Sequence, residues 1–241
     1  MKMKDSFKDI LTFVSSLFFP NRCIFCGELI DPFEFECDSC DSEVPLITGE
    51  ICPYCGAKID DCECKKKPAH YYDRIVAPLY YDGLVKDCIH RFKFKGERSI
   101  YSGLAKLMTD TLFERYRDID FDYITYVPMF RRKKQERGFN QSRLLAKEIS
   151  RLSGIEFADG MILKLYDTDN QHDCTGLERT GNLLGAFDLS DRFDVKDKTV
   201  LLIDDVKTSG STLNECGKML YLHDAKSVIC LTAALRNSKI D

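Results

Sequence analysis

No stretch of this chain holds about 18 consecutive apolar residues, so no membrane-spanning helix is expected. The start, MKMKDSFKDI, is too polar to be the apolar core of a secretory leader. A large net charge is also missing: 35 Lys and Arg stand against 39 Asp and Glu, a formal charge of −4. The chain as a whole therefore does not read as a nucleic-acid binder, and any basic site must be local. Histidine is scarce, and His70, His90, His172 and His223 enter no pattern that would give them a role. These absences lead us to expect a cytoplasmic, reducing setting, in which clustered cysteines favour metal over disulfides.

What is present fits a chain of 241 residues holding one good-sized domain and a small one, with 44% hydrophobic residues to build a core. There are 12 cysteines, eight of them between Cys23 and Cys64. They form Cys23-x-x-Cys26, Cys37-x-x-Cys40, Cys52-x-x-Cys55 and Cys62-x-Cys64. Gly27 and Gly56 follow two of the pairs, as expected where a knuckle turns its backbone N–H groups toward sulfur. Four paired cysteines make one tetrahedral zinc site and eight make two. The simplest assignment is sequential, and an interleaved one is compatible with the spacing. Disulfides or an iron–sulfur cluster are the alternatives; the regular pairs and the reducing setting favour structural zinc. The segment has too few large apolar residues to fold without metal. The seven acids from Glu28 to Glu43 argue against a charge-driven grip on nucleic acid. Cys216 and Cys230 lie in apolar patterns and read as core residues.

Along the chain, residues 6–19 carry apolar positions at helical spacing and stop at Pro20. This amphipathic helix lacks a lysine-rich face, so packing on protein suits it better than lying on a membrane. Lys65, Lys66, Lys67 and Pro68 read as a solvated linker. The divisions expected are an N-terminal helix at 1–20, a double zinc ribbon at 21–67 and an α/β domain at 70–241. In the last, strands are expected at 74–81, 123–127, 161–165, 199–203 and 227–233. Helices are expected at 84–92, 100–116, 141–152, 178–184 and 213–222, with Leu104, Leu107, Met108, Leu112 and Phe113 turned inward on the second. The polar stretch 167–175 reads as a loop. Alternation of this kind implies an α/β fold with a doubly wound, mainly parallel sheet, whose ligands bind at the carboxyl ends of strands.

Two strand ends stand out. After the apolar run Val200 to Ile203 come Asp204 and Asp205, then Thr208, Ser209, Gly210, Ser211 and Thr212, then a helix. Hydroxyl-rich loops at a helix start cradle phosphate with free N–H groups and the helix dipole, and they also serve as ordinary caps. Adjacent acids are not needed by a plain turn and suit ribose hydroxyls or magnesium. This stretch resembles the 5-phosphoribosyl-1-pyrophosphate (PRPP) motif of type I phosphoribosyltransferases. The resemblance implies that Asp204 and Asp205 hold ribose hydroxyls and that residues 208–212 cradle the 5-phosphate. Lys207 stands where that motif more often has an apolar residue, and its side chain is expected to face solvent. After Val127 comes FRRKKQERGFNQS, a basic loop with Arg131, Arg132, Lys133, Lys134 and Arg137 in seven residues. Such a run is usually a solvated face; here, at a strand end, it suits an anion such as pyrophosphate.

RGFNQS, the cysteine pairs and IDDVKTSGSTL together resemble the ComF family, in which a double zinc ribbon precedes a phosphoribosyltransferase domain. The likeness runs over nearly the whole chain. Residues 89–93, IHRFK, match a family segment that carries a lysine at Lys93. Gln171, Glu178, Arg179, Asn182 and the GAF at 185–187 match another. Departures are small: Phe130 and Arg131 replace a frequent His-Pro pair, and Cys174 replaces a leucine. Lys133 and Arg137 fall where the family keeps basic residues. What the resemblance implies is a glycosyltransferase that uses PRPP and magnesium beside one or two structural zinc ions. Asp204, Asp205 and Arg137 would be catalytic, and Lys93, Lys133 and Arg137 would neutralise the leaving group. The acceptor is not legible. The family's link to DNA uptake in natural competence raises a second reading, a non-catalytic factor for single-stranded DNA or nucleotide that docks on a helicase. Phe92, Phe94 and Phe139 could then stack on bases, although core packing is their ordinary use. A third reading makes the ribbon a docking surface and the larger domain an inert scaffold.

Overall fold

The structure, a computed structural model, describes residues 21–62, 64, 70–95, 97, 100–166 and 185–236. The helix expected at 6–19, the linker at 65–68, the loop at 167–175 and the helix at 178–184 lie outside these. So do His172, Gln171, Cys174, Glu178, Arg179 and Asn182.

Six strands form one sheet in which every pairing is parallel: β1 (Arg74–Val76), β2 (Leu79–Tyr80), β3 (Tyr123–Tyr126), β4 (Glu156–Phe157), β7 (Thr199–Lys207) and β8 (Ser227–Leu235). The order is β1-β8-β7-β3-β4, with β2 also on β8. Two short strands, β5 (Ile162–Lys164) and β6 (Phe187–Leu189), pair antiparallel outside that sheet. The core lies on both faces, as an apolar run without alternation requires. Leu201, Ile203, Ile229 and Leu231 face α3 (Ile100–Arg115) and α5 (Gln141–Ser153). Val200, Leu202, Val228 and Cys230 face α6 (Ser211–Leu222) and the β5–β6 pair. The expected doubly wound, mainly parallel fold is therefore what the chain adopts. Cys216 and Cys230 are fully buried in it.

Several expectations are corrected. The strand at 74–81 is two strands, because Pro78 has no N–H to give a ladder. The basic loop after Val127 is largely a helix, α4 (Arg131–Arg137), ended by Gly138 at φ 77°. β7 runs four residues past Ile203, so the acid pair lies within a strand. Phe113 is exposed and Leu107 half-buried, while Leu104, Met108 and Leu112 point inward as expected. β4 and β6 are too short to have left a period-two signal.

The ribbon segment holds a short helix, α1 (Asp38–Glu43), and isolated bridges. α2 (Gly83–His90) runs into a π-helical turn at Arg91–Lys95, a geometry frequent at functional sites. No described helix is long and apolar enough to cross a membrane.

Candidate functional site

At the carboxyl end of β7, Asp205 meets Lys93 from the π-helical turn, Nζ to Oδ2 at 2.9 Å, with both side chains mostly buried. Burial alone would lower Lys93, but the carboxylate of Asp205, its hydrogen bond and the field of Asp204 outweigh it and raise the ammonium above its ordinary value. Asp204 is held differently. The Ser142 hydroxyl donates to its Oδ1 at 2.8 Å and the Asp205 N–H at 2.9 Å. Burial, then the neighbouring Asp205 charge, push its carboxyl up to about 7 against those donors and Lys93. The two adjacent carboxylates are thus held by different partners, Asp204 by the Ser142 hydroxyl and a backbone N–H and Asp205 by Lys93.

Beyond them, Thr208 and Ser209 are exposed, and α6 begins at Ser211 with Gly210 as N-cap at φ 79° and no N-cap side chain closing it. Ser209 and Ser211 place their hydroxyl oxygens 2.9 Å apart. The helix thus presents a positive end beside two hydroxyls, with Thr212 in its first turn. Lys207, expected to face solvent, instead turns under the loop. Its Nζ donates to the carbonyl of Cys55 at 3.1 Å. Burial pushes its ammonium below the ordinary value against the pull of nearby cysteine sulfurs.

Helical geometry divides the basic run. Lys133 and Arg137 share one face of α4, Arg131 and Lys134 another, and Arg132 pairs with Glu136 at 3.4 Å. The Arg137 guanidinium lies over the ring of Phe94 at 4.8 Å, one residue from Lys93. Arg131 and Lys134 line a cavity of about 560 Å³ with Arg143 and Lys164. Lys93, Asp204, Asp205 and the hydroxyl loop are thus brought together, and Arg137 reaches the same turn; Lys133 lies half-buried a helical turn before it. Of the three phenylalanines, Phe92 and Phe139 pack on each other in the core, and Phe94 is 60% exposed.

The eight paired cysteines form two clusters, Cys23, Cys26, Cys37, Cys40 and Cys52, Cys55, Cys62, Cys64, each with its sulfurs within 4.8 Å of one another. The sequential assignment holds and the interleaved one does not. Sulfurs of Cys26 and Cys37 are 3.7 Å apart, as are those of Cys55 and Cys62. A tetrahedron with Zn–S bonds of about 2.3 Å has edges of about 3.8 Å, so the donor set fits zinc, and the thiols are not disulfide-linked. Four protein ligands at each leave no open position, which is the pattern of structural sites.

A double zinc ribbon domain model matches residues 14–74, and a phosphoribosyl transferase domain model matches residues 140–241. DNA utilization protein YhgH of Escherichia coli is 30% identical over 186 residues, 74% of this chain and 81% of that protein. The chain belongs to the ComF family. Competence protein F of Haemophilus influenzae is 29% identical over 212 residues, covering 84% of this chain and 92% of its own. Competence protein ComFC of Bacillus subtilis is 29% identical over 205 residues, 80% of each chain.

In this ComF protein Lys93 and Arg137 lie between the two matched segments. Sequence reasoning gave no role to Ser142, although it closes the RGFNQS string, nor to its neighbour Gln141. That side chain is fully buried, and neither its Oε1 nor its Nε2 has a hydrogen-bond partner. It also missed a network in which Tyr126 and Arg143 both donate to Asp159, at 2.7 and 2.8 Å. Nothing local marks Asp159, because its partners come from a different strand and helix.

Proposed function

We propose that this ComF protein binds PRPP with magnesium and transfers its phosphoribosyl group to an acceptor. The observation that carries the reading is the Lys93–Asp205 ion pair beside Asp204, set against a helix start whose N-cap is Gly210 and which carries two hydroxyls. The donor set suits each part of such a ligand. The 5-phosphate meets the N–H groups and hydroxyls of residues 208–212. Ribose hydroxyls meet Asp204 and Asp205, whose negative charge favours the positive charge that grows on the ring as pyrophosphate leaves. Lys93, Arg137 and Lys133 take up charge on the leaving group. Magnesium supplies further neutralisation of the pyrophosphate oxygens when it arrives with the substrate. Ser142 and Lys93 orient the acids beforehand, so little reorganisation is needed on binding. Isothermal calorimetry with PRPP and magnesium tests this. Binding is expected for the wild type and its loss for Asp204→Asn combined with Asp205→Asn; equal affinity in the double variant overturns the reading.

A second reading rests on the exposed Phe94 ring with Arg137 stacked over it, and on relatives named for competence and DNA utilization. In it the chain serves DNA uptake by holding single-stranded DNA or a nucleotide, or by docking on a helicase. Affinity for single-stranded DNA is then expected to fall steeply with salt. A flat response, or an Arg137→Ala variant that binds as the wild type does, counts against it.

A further inference from the structure

The Lys93–Asp205 pair is flanked by two cations that reach away from it, one into each ribbon. On the π-helical turn, two residues before Lys93, Arg91 donates through Nη2 to the carbonyls of Ile24 and Phe25 at 2.5 and 2.6 Å. These are the two residues between Cys23 and Cys26. Its Nη1 is held by Glu97 at 2.8 Å, which fixes the fork. On β7, two residues after Asp205, Lys207 donates to the carbonyl of Cys55, a member of the second cluster, at 3.1 Å. Each knuckle therefore hangs on a cation two residues from one partner of the ion pair.

The knuckles have no slack around these contacts. A β-carbon on Gly56, just after Cys55, would lie 2.7 Å from Leu235 Cδ1 and 3.3 Å from the Ile75 carbonyl. A β-carbon on Gly103 of α3 would lie 2.8 Å from Ile24 Cγ2. A β-carbon on Gly210, the N-cap of the phosphate-loop helix, would lie 3.2 Å from Lys207 Cε. Packing this close transmits displacement instead of absorbing it. Electrostatics would act in the same sense: a zinc held by four thiolates would carry a charge of about −2, and Lys207 and Arg91 would place cationic groups beside the two centres.

We propose that the two ribbon centres position the Lys93–Asp205 pair and the hydroxyl loop, with Arg91 and Lys207 as the positioning residues that carry the coupling. The inference rests on the preceding reading for the identity of the site's ligand. Coupling of this kind is reciprocal: what the metal does for the site, a ligand at the site does for the metal.

The test follows zinc released from the full-length, zinc-loaded protein to a chromogenic chelator, with circular dichroism confirming that each variant is folded. Lys207→Met and Arg91→Met are each expected to speed one part of the release about tenfold, the weight of one charged hydrogen bond. Lys207→Arg, which can still reach a carbonyl, is expected to keep most of the wild-type rate. Asp205→Asn is expected to speed release about twofold or more, although the Asp205 side chain pairs with Lys93 and its N–H with Asp204, both outside the ribbons. Lys198→Met, which loses a pair with Asp122 at the amino end of the sheet, serves as the control and is expected to leave the rate unchanged. Adding PRPP with magnesium is expected to slow release from the wild type and not from Lys207→Met. Wild-type rates in both Lys207→Met and Arg91→Met overturn the coupling. If calorimetry shows PRPP bound but zinc release does not respond, the coupling fails and the PRPP reading stands. If PRPP does not bind, that reading fails, and Asp205→Asn alone decides: a wild-type rate overturns the coupling.

Discussion

Asp204 is held at the site at a cost to stability. Its carboxyl is raised from 3.8 to about 7, first by burial and then by Asp205. A carboxyl raised on folding binds its proton more tightly in the folded state. Its contribution to stability therefore falls as pH climbs from about 4 to about 7, and the full penalty stays in place above that. Asp204→Asn keeps an oxygen to accept from Ser142 and carries no charge. It is expected to raise the thermal midpoint at pH 8 by at least the roughly 2–4 °C that 1 kcal/mol is worth at this length. The gain should shrink toward pH 4, and PRPP binding should weaken in the same variant. A midpoint at pH 8 equal to or below the wild type contradicts the assignment of penalty to that carboxyl. The acid pair itself was legible in the sequence, because adjacent like charges at a strand end are locally visible. The direction of Lys207 was not. Its partner, the Cys55 carbonyl, lies 152 residues away, and no local pattern reports a contact of that range. Ser142 is intermediate: the string that contains it was conspicuous, but its bond to Asp204 depends on how α5 meets β7.

At the scale of elements, the hydroxyl loop is aimed by α6, and α6 is seated by a contact that admits no side chain. A β-carbon on Gly217 would lie 1.9 Å from the carbonyl oxygen of Tyr71, and the Tyr71 N–H donates to Asn214 of the same helix at 2.7 Å. Gly217→Ala must push helix and strand lead-in apart, at about 3 kcal/mol or more. Thermal melting should show the loss, and calorimetry should show PRPP affinity falling with it, since the loop moves with its helix. Asn214→Ala removes the hydrogen bond without the clash and should cost about 1 kcal/mol. A tolerated Gly217→Ala would mean that α6 is not fixed there. Most helices and long strands could be read from periodicity, because their apolar positions repeat within the element. The basic run could not. Five cations in seven residues hide helical periodicity, and only Gly138 at its end hints that α4 stops there. The cysteine pairs were the easiest reading, since ligands of one knuckle are neighbours in sequence.

For the molecule as a whole, a ribbon and an α/β domain separate cleanly in sequence and do not separate in packing. Ile24, Phe25 and Val44 of the ribbon share one hydrophobic cluster with Leu104 and Met108 of α3, Leu145 of α5 and Ile229 of β8. Arg115 of α3 adds hydrogen bonds to the carbonyls of Gly49 and Ile47 between the two cysteine clusters. A segment that holds its shape through metal thus supplies core residues to its neighbour, and composition alone cannot show on which surface they are spent. Zinc-loaded protein should therefore melt in one calorimetric transition. Chelation should lower that transition by about 10 °C or more, because part of the binding free energy of each centre is folding free energy for the shared core. A fragment covering 70–241 should expose the faces that Ile24 and Phe25 now cover, bind a hydrophobic dye and aggregate. Two separate transitions in the zinc-loaded protein, the smaller one alone sensitive to chelator, would instead show that the ribbon folds independently. The site would then owe its geometry to the α/β domain by itself.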